Sequence, residues 1–148
     1  MKTKLEIKEV NIKTNKLTGN KEGNITVDLI FPDLNGAMNI TLYSNDFICD
    51  TKWIGNDKLN TKVNIEIDNM VNKYIPFINI LLKVKMVKKN SIFSIKDLFT
   101  DREWNKIPIS TKRRIGMMFK KYVDNGLLPE VKFESIDSNK TRHYKKIK

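Results

Sequence analysis

The sequence predicts an α+β protein in two parts: a mainly antiparallel β domain over residues 1–88, then a helical domain ending in a hairpin over residues 91–148. Two observations carry this. Apolar residues recur at every second position through most of the first 86 residues, and from residue 94 they recur at helical spacing instead. Between the two regimes lies Lys88-Lys89-Asn90-Ser91, whose polarity suits a connector.

In the first part, Leu5 and Ile7 alternate, and then Val10 and Ile12 do so on a shifted phase, which predicts a strand with a bulge. Ile25, Val27 and Leu29 predict a second strand, ended by Pro32. The turn residues Asp33-Leu34-Asn35-Gly36, followed by alternating Met38, Ile40 and Leu42, predict a hairpin. Val63, Ile65 and Ile67 predict another strand and residues 78–86 a fifth, with one helical turn at 69–74 ahead of Pro76. Residues 44–60 hold Phe47, Ile48, Trp53 and Ile54 without a clean period, so a packed loop, a short helix and a strand all stay open.

In the second part, Ser94 with Asp97 and Thr100 with Glu103 are two capping-box patterns, each a small N-cap followed three residues later by an acid. They predict short helices at about 94–99 and 101–106, the second stopped by Pro108. A third helix is expected from Ser110 as N-cap to about Asn125, with Gly126 as its stop. Its core stripe, Ile115, Met118, Phe119, Tyr122 and Val123, follows the i, i+3, i+4, i+7, i+8 rule. Gly116 flanks that stripe, where a neighbouring helix could pack closely. Two strands at 130–134 and 141–147, joined by a polar turn at 135–140, complete the chain.

Three helices and a hairpin are the element order of a winged helix-turn-helix, in which the third helix enters the DNA major groove. The expected nucleic-acid contacts are Lys112, Arg113, Arg114, Met117, Lys120 and Lys121 on the third helix and Lys140, Arg142 and Lys145 on the hairpin. The doublet Arg113-Arg114 stands out. Lys, Asn and Ile supply 60 of 148 residues, the drift of an AT-rich gene, and against 24 lysines the four arginines (Arg102, Arg113, Arg114, Arg142) all lie in the last 47 residues. Arginine grips phosphate or guanine with a planar fork that lysine lacks.

The net charge of +11 points to polyanionic partners, and residues 91–148 carry +7 of it. Lysine solvating an ordinary surface would give the same total. Cys49 is alone, so no internal disulfide can form. The N-terminus has no apolar signal-peptide core, and no run approaches the ~18 apolar residues of a membrane span, so a cytoplasmic location without a membrane partner is expected. One Cys and one His, His143, exclude a Cys/His zinc site, and no glycine-rich phosphate loop is present. Asp46, Asp50 and Asp57 match no known metal-loop spacing. Neither a metal nor a cofactor is expected, and no catalytic residues are assigned.

Residues 93–126, through Phe93-Ser94-Ile95-Lys96-Asp97-Leu98-Phe99, Glu103-Trp104 and the run from Arg114-Ile115-Gly116 to Phe119 and Val123, resemble a small bacterial family known as domain of unknown function 1413. The resemblance covers roughly 50 C-terminal residues, including the hairpin Tyr144, and leaves the N-terminal half unassigned. It implies a short winged-helix-like module in a family common on plasmids, phages and low-GC chromosomes. Trp104 and Phe99 are expected in the core.

Together these features lead to the expectation of a non-catalytic DNA-binding regulator of plasmid or phage type, DNA being favoured over RNA. The β half would serve homodimerisation or partner binding. The alternative is a mobile-element inhibitor, anti-CRISPR-like, that binds a nuclease or its guide-RNA complex.

Overall fold

The computed structural model describes residues 1–44, 49–55 and 59–148. It is a mixed α+β chain whose four-stranded antiparallel sheet is followed by helices and a small second sheet. The chain divides into two compact units, Met1–Leu82 and Lys83–Lys148.

The first unit is a meander of β1 (Lys4–Thr14), β2 (Lys21–Phe31), β3 (Gly36–Tyr43) and β4 (Cys49–Ile54), paired in that order. Alternation puts Ile25, Val27, Leu29, Phe31, Met38, Ile40 and Leu42 on one buried face. The other face is polar and bonded across strands, Thr26 to Thr41 at 3.0 Å and Asn39 Nδ2 to Asp28 Oδ1 at 2.7 Å. The expected phase shift in β1 is a bulge between Ile7 and Glu9. The β2–β3 connection is a 3-10 turn at Pro32–Leu34, closed by Asn35 in the left-handed region at φ 49°. Gly23 in β2 lies so near β1 that a Cβ there would overlap the Asn11 carbonyl. Gly23→Ala is therefore expected to lower stability by about 2 kcal/mol, read as a shift of the urea midpoint.

The two strands expected at Val63–Ile67 and 78–86 do not form. Both lie in α1, a helix over Thr61–Met86, which also absorbs the single turn expected at 69–74. Two patterns mislead here. Ile67 and Val71 are buried at helical spacing while Ile65 is 55% exposed, so the i, i+2 match around Ile65 is fortuitous. Farther along, Phe77, Ile78, Ile80, Leu81, Leu82 and Val84 are all buried. A helix buried all round loses its 3.6-residue period and reads like a buried strand. Pro76 sits inside α1. The lost hydrogen bond and ring clash cost about 3 kcal/mol, which dense burial of the following two turns offsets. A hydrogen bond of 2.9 Å between Thr3 Oγ1 and Tyr74 OH ties the start of the sheet to this helix.

The second unit starts with the last turn of α1. It continues through β5 (Ile92–Phe93), a 3-10 turn (Lys96–Leu98), α2 (Asp101–Lys106), α3 (Ile109–Asp124), β6 (Val131–Ile136) and β7 (Arg142–Lys146). β7 pairs with β5 as well as β6, giving the order β5-β7-β6. Helix, strand, two helices and a hairpin that pairs back to the first strand are the arrangement of a winged helix-turn-helix. The capping box at Thr100 and Glu103 is complete: Glu103 N donates to Thr100 Oγ1 at 3.2 Å, and Thr100 N to Glu103 Oε2 at 2.8 Å. That backbone N–H, helped by Lys83 and opposed by partial burial, holds the Glu103 carboxyl below its ordinary value. The Ser94 pattern yields only the 3-10 turn, with Ser94 N and Oγ both donating to Asp97 Oδ2, at 2.7 and 2.9 Å. α3 opens one residue before Ser110, with Pro108 as an N-cap that offers no side-chain bond. It ends as expected: Gly126 takes φ +70°, and Leu127 N donates back to Tyr122 O at 2.9 Å, a Schellman closure.

Candidate nucleic-acid interface

α3 is fixed by its inner stripe. Ile115 and Phe119 are fully buried. The Phe119 ring meets Tyr144 of β7 edge-on at 4.8 Å between centroids, and Phe93 of β5 lies 6.4 Å and 6.1 Å from the two rings. Three aromatic side chains from three elements thus hold α3 against the small sheet. At ~100° per residue, the outer face then presents Arg113, Met117, Lys120 and Asp124 in one row, with Arg114 and Lys121 in the next.

The expected contact residues do not form one patch. The side chains of Arg113 and Lys121 are exposed and, among the described residues, make no hydrogen bond or ion pair. Met117 is 67% exposed between them. Arg114 is half-buried at the margin of the stripe. Lys112 turns aside, its Nζ 4.8 Å from the centroid of the Trp104 ring. Lys120 donates to Asp124 Oδ2 at 2.8 Å, which offsets part of its charge. On the hairpin, Arg142 lies over the Phe133 ring at 4.9 Å. Lys145 alternates onto the other face of β7 from Tyr144, opposite Lys132, and so stands apart from the α3 residues. Lys140 occupies the exposed hairpin tip at φ 62°.

The tip is built around Asp137. Its Oδ1 accepts from Asn139 N at 2.8 Å and Thr141 N at 3.0 Å, and its Oδ2 pairs with His143 Nε2 at 2.9 Å. The His143 contact, with those two amides, keeps the Asp137 carboxyl below its ordinary value. His143 therefore shapes the hairpin instead of standing free in solvent. Lys146 departs further from a solvated wing residue. It is only 4% exposed, and its Nζ donates to Val84 O at 2.9 Å.

Between α3 and β7 runs a groove of about 740 Å³. Its apolar lining comes from Ile95, Trp104, Gly116, Met117 and Tyr144. Four cations edge it, Lys96, Arg113, Lys120 and Arg142, and no carboxylate lines it. Trp104, expected in the core, is only half-buried beside Phe99, their rings 5.6 Å apart. Lys96 and Ile95 were not foreseeable as site residues. Their place depends on β5 pairing with a strand some fifty residues later, and no local pattern carries that.

Gly116 stands in the middle of α3, where glycine costs about 1 kcal/mol relative to alanine. Among the described residues, a Cβ there would meet no atom within 4 Å. No helix packs against it, contrary to the expectation from sequence, and the groove opens over it.

Residues 79–146 match the family model described as Domain of unknown function (DUF1413). The matched stretch thus runs from within α1 to the last residue of β7, taking in every strand and helix that follows α1 and the whole groove. The four-stranded sheet lies outside the matched stretch. Comparison of the chain with curated proteins and with solved structures gives no match. Among the described residues no helix is long and apolar enough to cross a membrane, and no three His, Cys, Asp or Glu side chains are gathered as metal ligands. Asp46 and Asp57, like Phe47 and Ile48, lie outside the described residues.

Proposed function

We propose that this protein is a non-catalytic regulator that binds duplex DNA through its C-terminal unit, with α3 in the major groove and the β6–β7 hairpin against the backbone. One observation carries the reading: the outer row of α3 presents Arg113 and Met117, uncovered, with Lys121 beside them. Arg113 lies in the first half of α3, from which recognition helices usually reach base edges. An exposed guanidinium suits guanine, and a thioether beside it suits a thymine methyl. Lys121 and Lys140 are exposed and are assigned to phosphate. The unengaged cations favour nucleic acid over a neutral protein partner, and the helix face with its wing favours duplex over single strand.

The test is a titration of labelled duplex at several salt concentrations with the full chain. The log–log salt slope of the wild type is expected to be several units and to fall by about two in Arg113→Ala/Lys121→Ala. Lys13→Ala/Lys16→Ala, at the β1–β2 turn of the other unit, should leave the slope unchanged. Absence of duplex binding at ~50 mM salt would overturn the reading and favour a protein or nucleoprotein target, such as a nuclease with its guide RNA.

A further inference from the structure

The groove beside α3 is poorly suited to DNA itself. A phosphate backbone needs donors along its whole length, whereas the floor here is Ile95, Trp104 and Met117. Its volume, about 740 Å³, falls within the range of small-molecule sites, roughly 300–1,000 Å³. Its rim is cationic, and no acid lines it. Gly116 adds an independent observation: glycine is unfavourable in mid-helix, and no neighbouring atom requires it at this position. Its structural consequence is to leave the groove open, because a longer side chain would fill it.

The geometry points to a binding site for a small amphipathic organic anion, with its apolar body on Trp104 and Met117 over Gly116 and its carboxylate or phosphate held by Arg113, Lys120 and Arg142. Arg113, Met117 and Lys120 belong both to this groove and to the outer row of α3. An occupied groove therefore withdraws Arg113 and Met117 from DNA, and the ligand and the duplex exclude each other. That exclusion rests on the DNA reading above; the site itself does not.

The probe is 1-anilinonaphthalene-8-sulfonate, an aromatic body with one anionic group, titrated by fluorescence against the full chain. One saturable site per chain is expected. Gly116→Met should weaken it at least tenfold without lowering Tm, since methionine is the better helix former, and Lys96→Ala should weaken it a few-fold through the rim charge. Non-saturable binding, or binding that Gly116→Met leaves unchanged, overturns the site. With labelled duplex present, saturating probe should raise the apparent Kd for DNA at least tenfold. An unchanged Kd in a chain that does bind duplex overturns the exclusion. A chain that binds no duplex defeats the DNA reading instead, while the probe titration still decides the groove.

Discussion

Replacing Glu130 by Gln is expected to destabilise the C-terminal unit by about 1–2 kcal/mol at pH 7, since it strands the half-buried Lys85 without its partner. Glu130 is buried just before β6 and forms an ion pair with Lys85 in the last turn of α1. Burial by itself raises the Glu130 pKa. The hydrogen bond from Lys85, a backbone amide and the charges of Lys85 and Lys146 outweigh it, and the net result is a pKa below the ordinary 4.5. The sign of the pH dependence follows. A carboxyl with a depressed folded-state pKa contributes its full stability above the unfolded value and loses it as pH falls through the folded value. The gap between wild type and Glu130→Gln should therefore be widest near neutrality and narrow as pH falls below the ordinary 4.5. Urea denaturation of both proteins across pH 3–7 measures it, and a gap that stayed constant would contradict the pairing.

Phe119→Ala is expected to cost about 4 kcal/mol, the middle of the range for an aromatic removed from a packed core. Phe119 is fully buried, with Tyr144 edge-on at 4.8 Å and Phe93 at 6.4 Å. Its ring is therefore the contact by which α3 is seated on the small sheet. Loss of the ring should lower stability and release α3 together, so the duplex binding proposed above should fall with the folded fraction. Arg113→Ala/Lys121→Ala should weaken binding with the denaturation midpoint unchanged. Denaturation and binding curves on the same preparations separate the two cases. A loss under 1 kcal/mol in Phe119→Ala would mean that α3 is held by other contacts.

What could be read from the sequence depended on how locally each element is encoded. The β1 bulge announces itself in the phase change from Leu5 and Ile7 to Val10 and Ile12, and the end of α3 in Gly126. The Thr100–Glu103 box closes over three residues and forms in full. α1 escapes the sequence pattern because the buried residues of its second half, Phe77 to Val84, spread over more than half its circumference and because Pro76, normally a boundary signal, is tolerated inside it. The outer face of α3 was legible from the helical wheel, but two expected contacts lay beyond that reasoning. Trp104, which draws Lys112 aside, comes from another helix, and the strand alternation that turns Lys145 away depends on where the β6–β7 register falls. The groove was hidden because Lys96, Gly116 and Arg142 meet only after β5 and β7 pair.

That pairing also sets an order of assembly. β7 is the last strand of the chain yet the middle strand of its sheet, with β5 at Ile92–Phe93 on one side and β6 on the other. During synthesis β5 has no neighbour to pair with until Arg142–Lys146 has emerged, however early α2 and α3 coil. Closing so long a loop takes entropy before any contact returns it, which slows folding in proportion to contact order. The second unit should consequently lock into place as one late step, and α3 acquires its seat only when the central strand arrives.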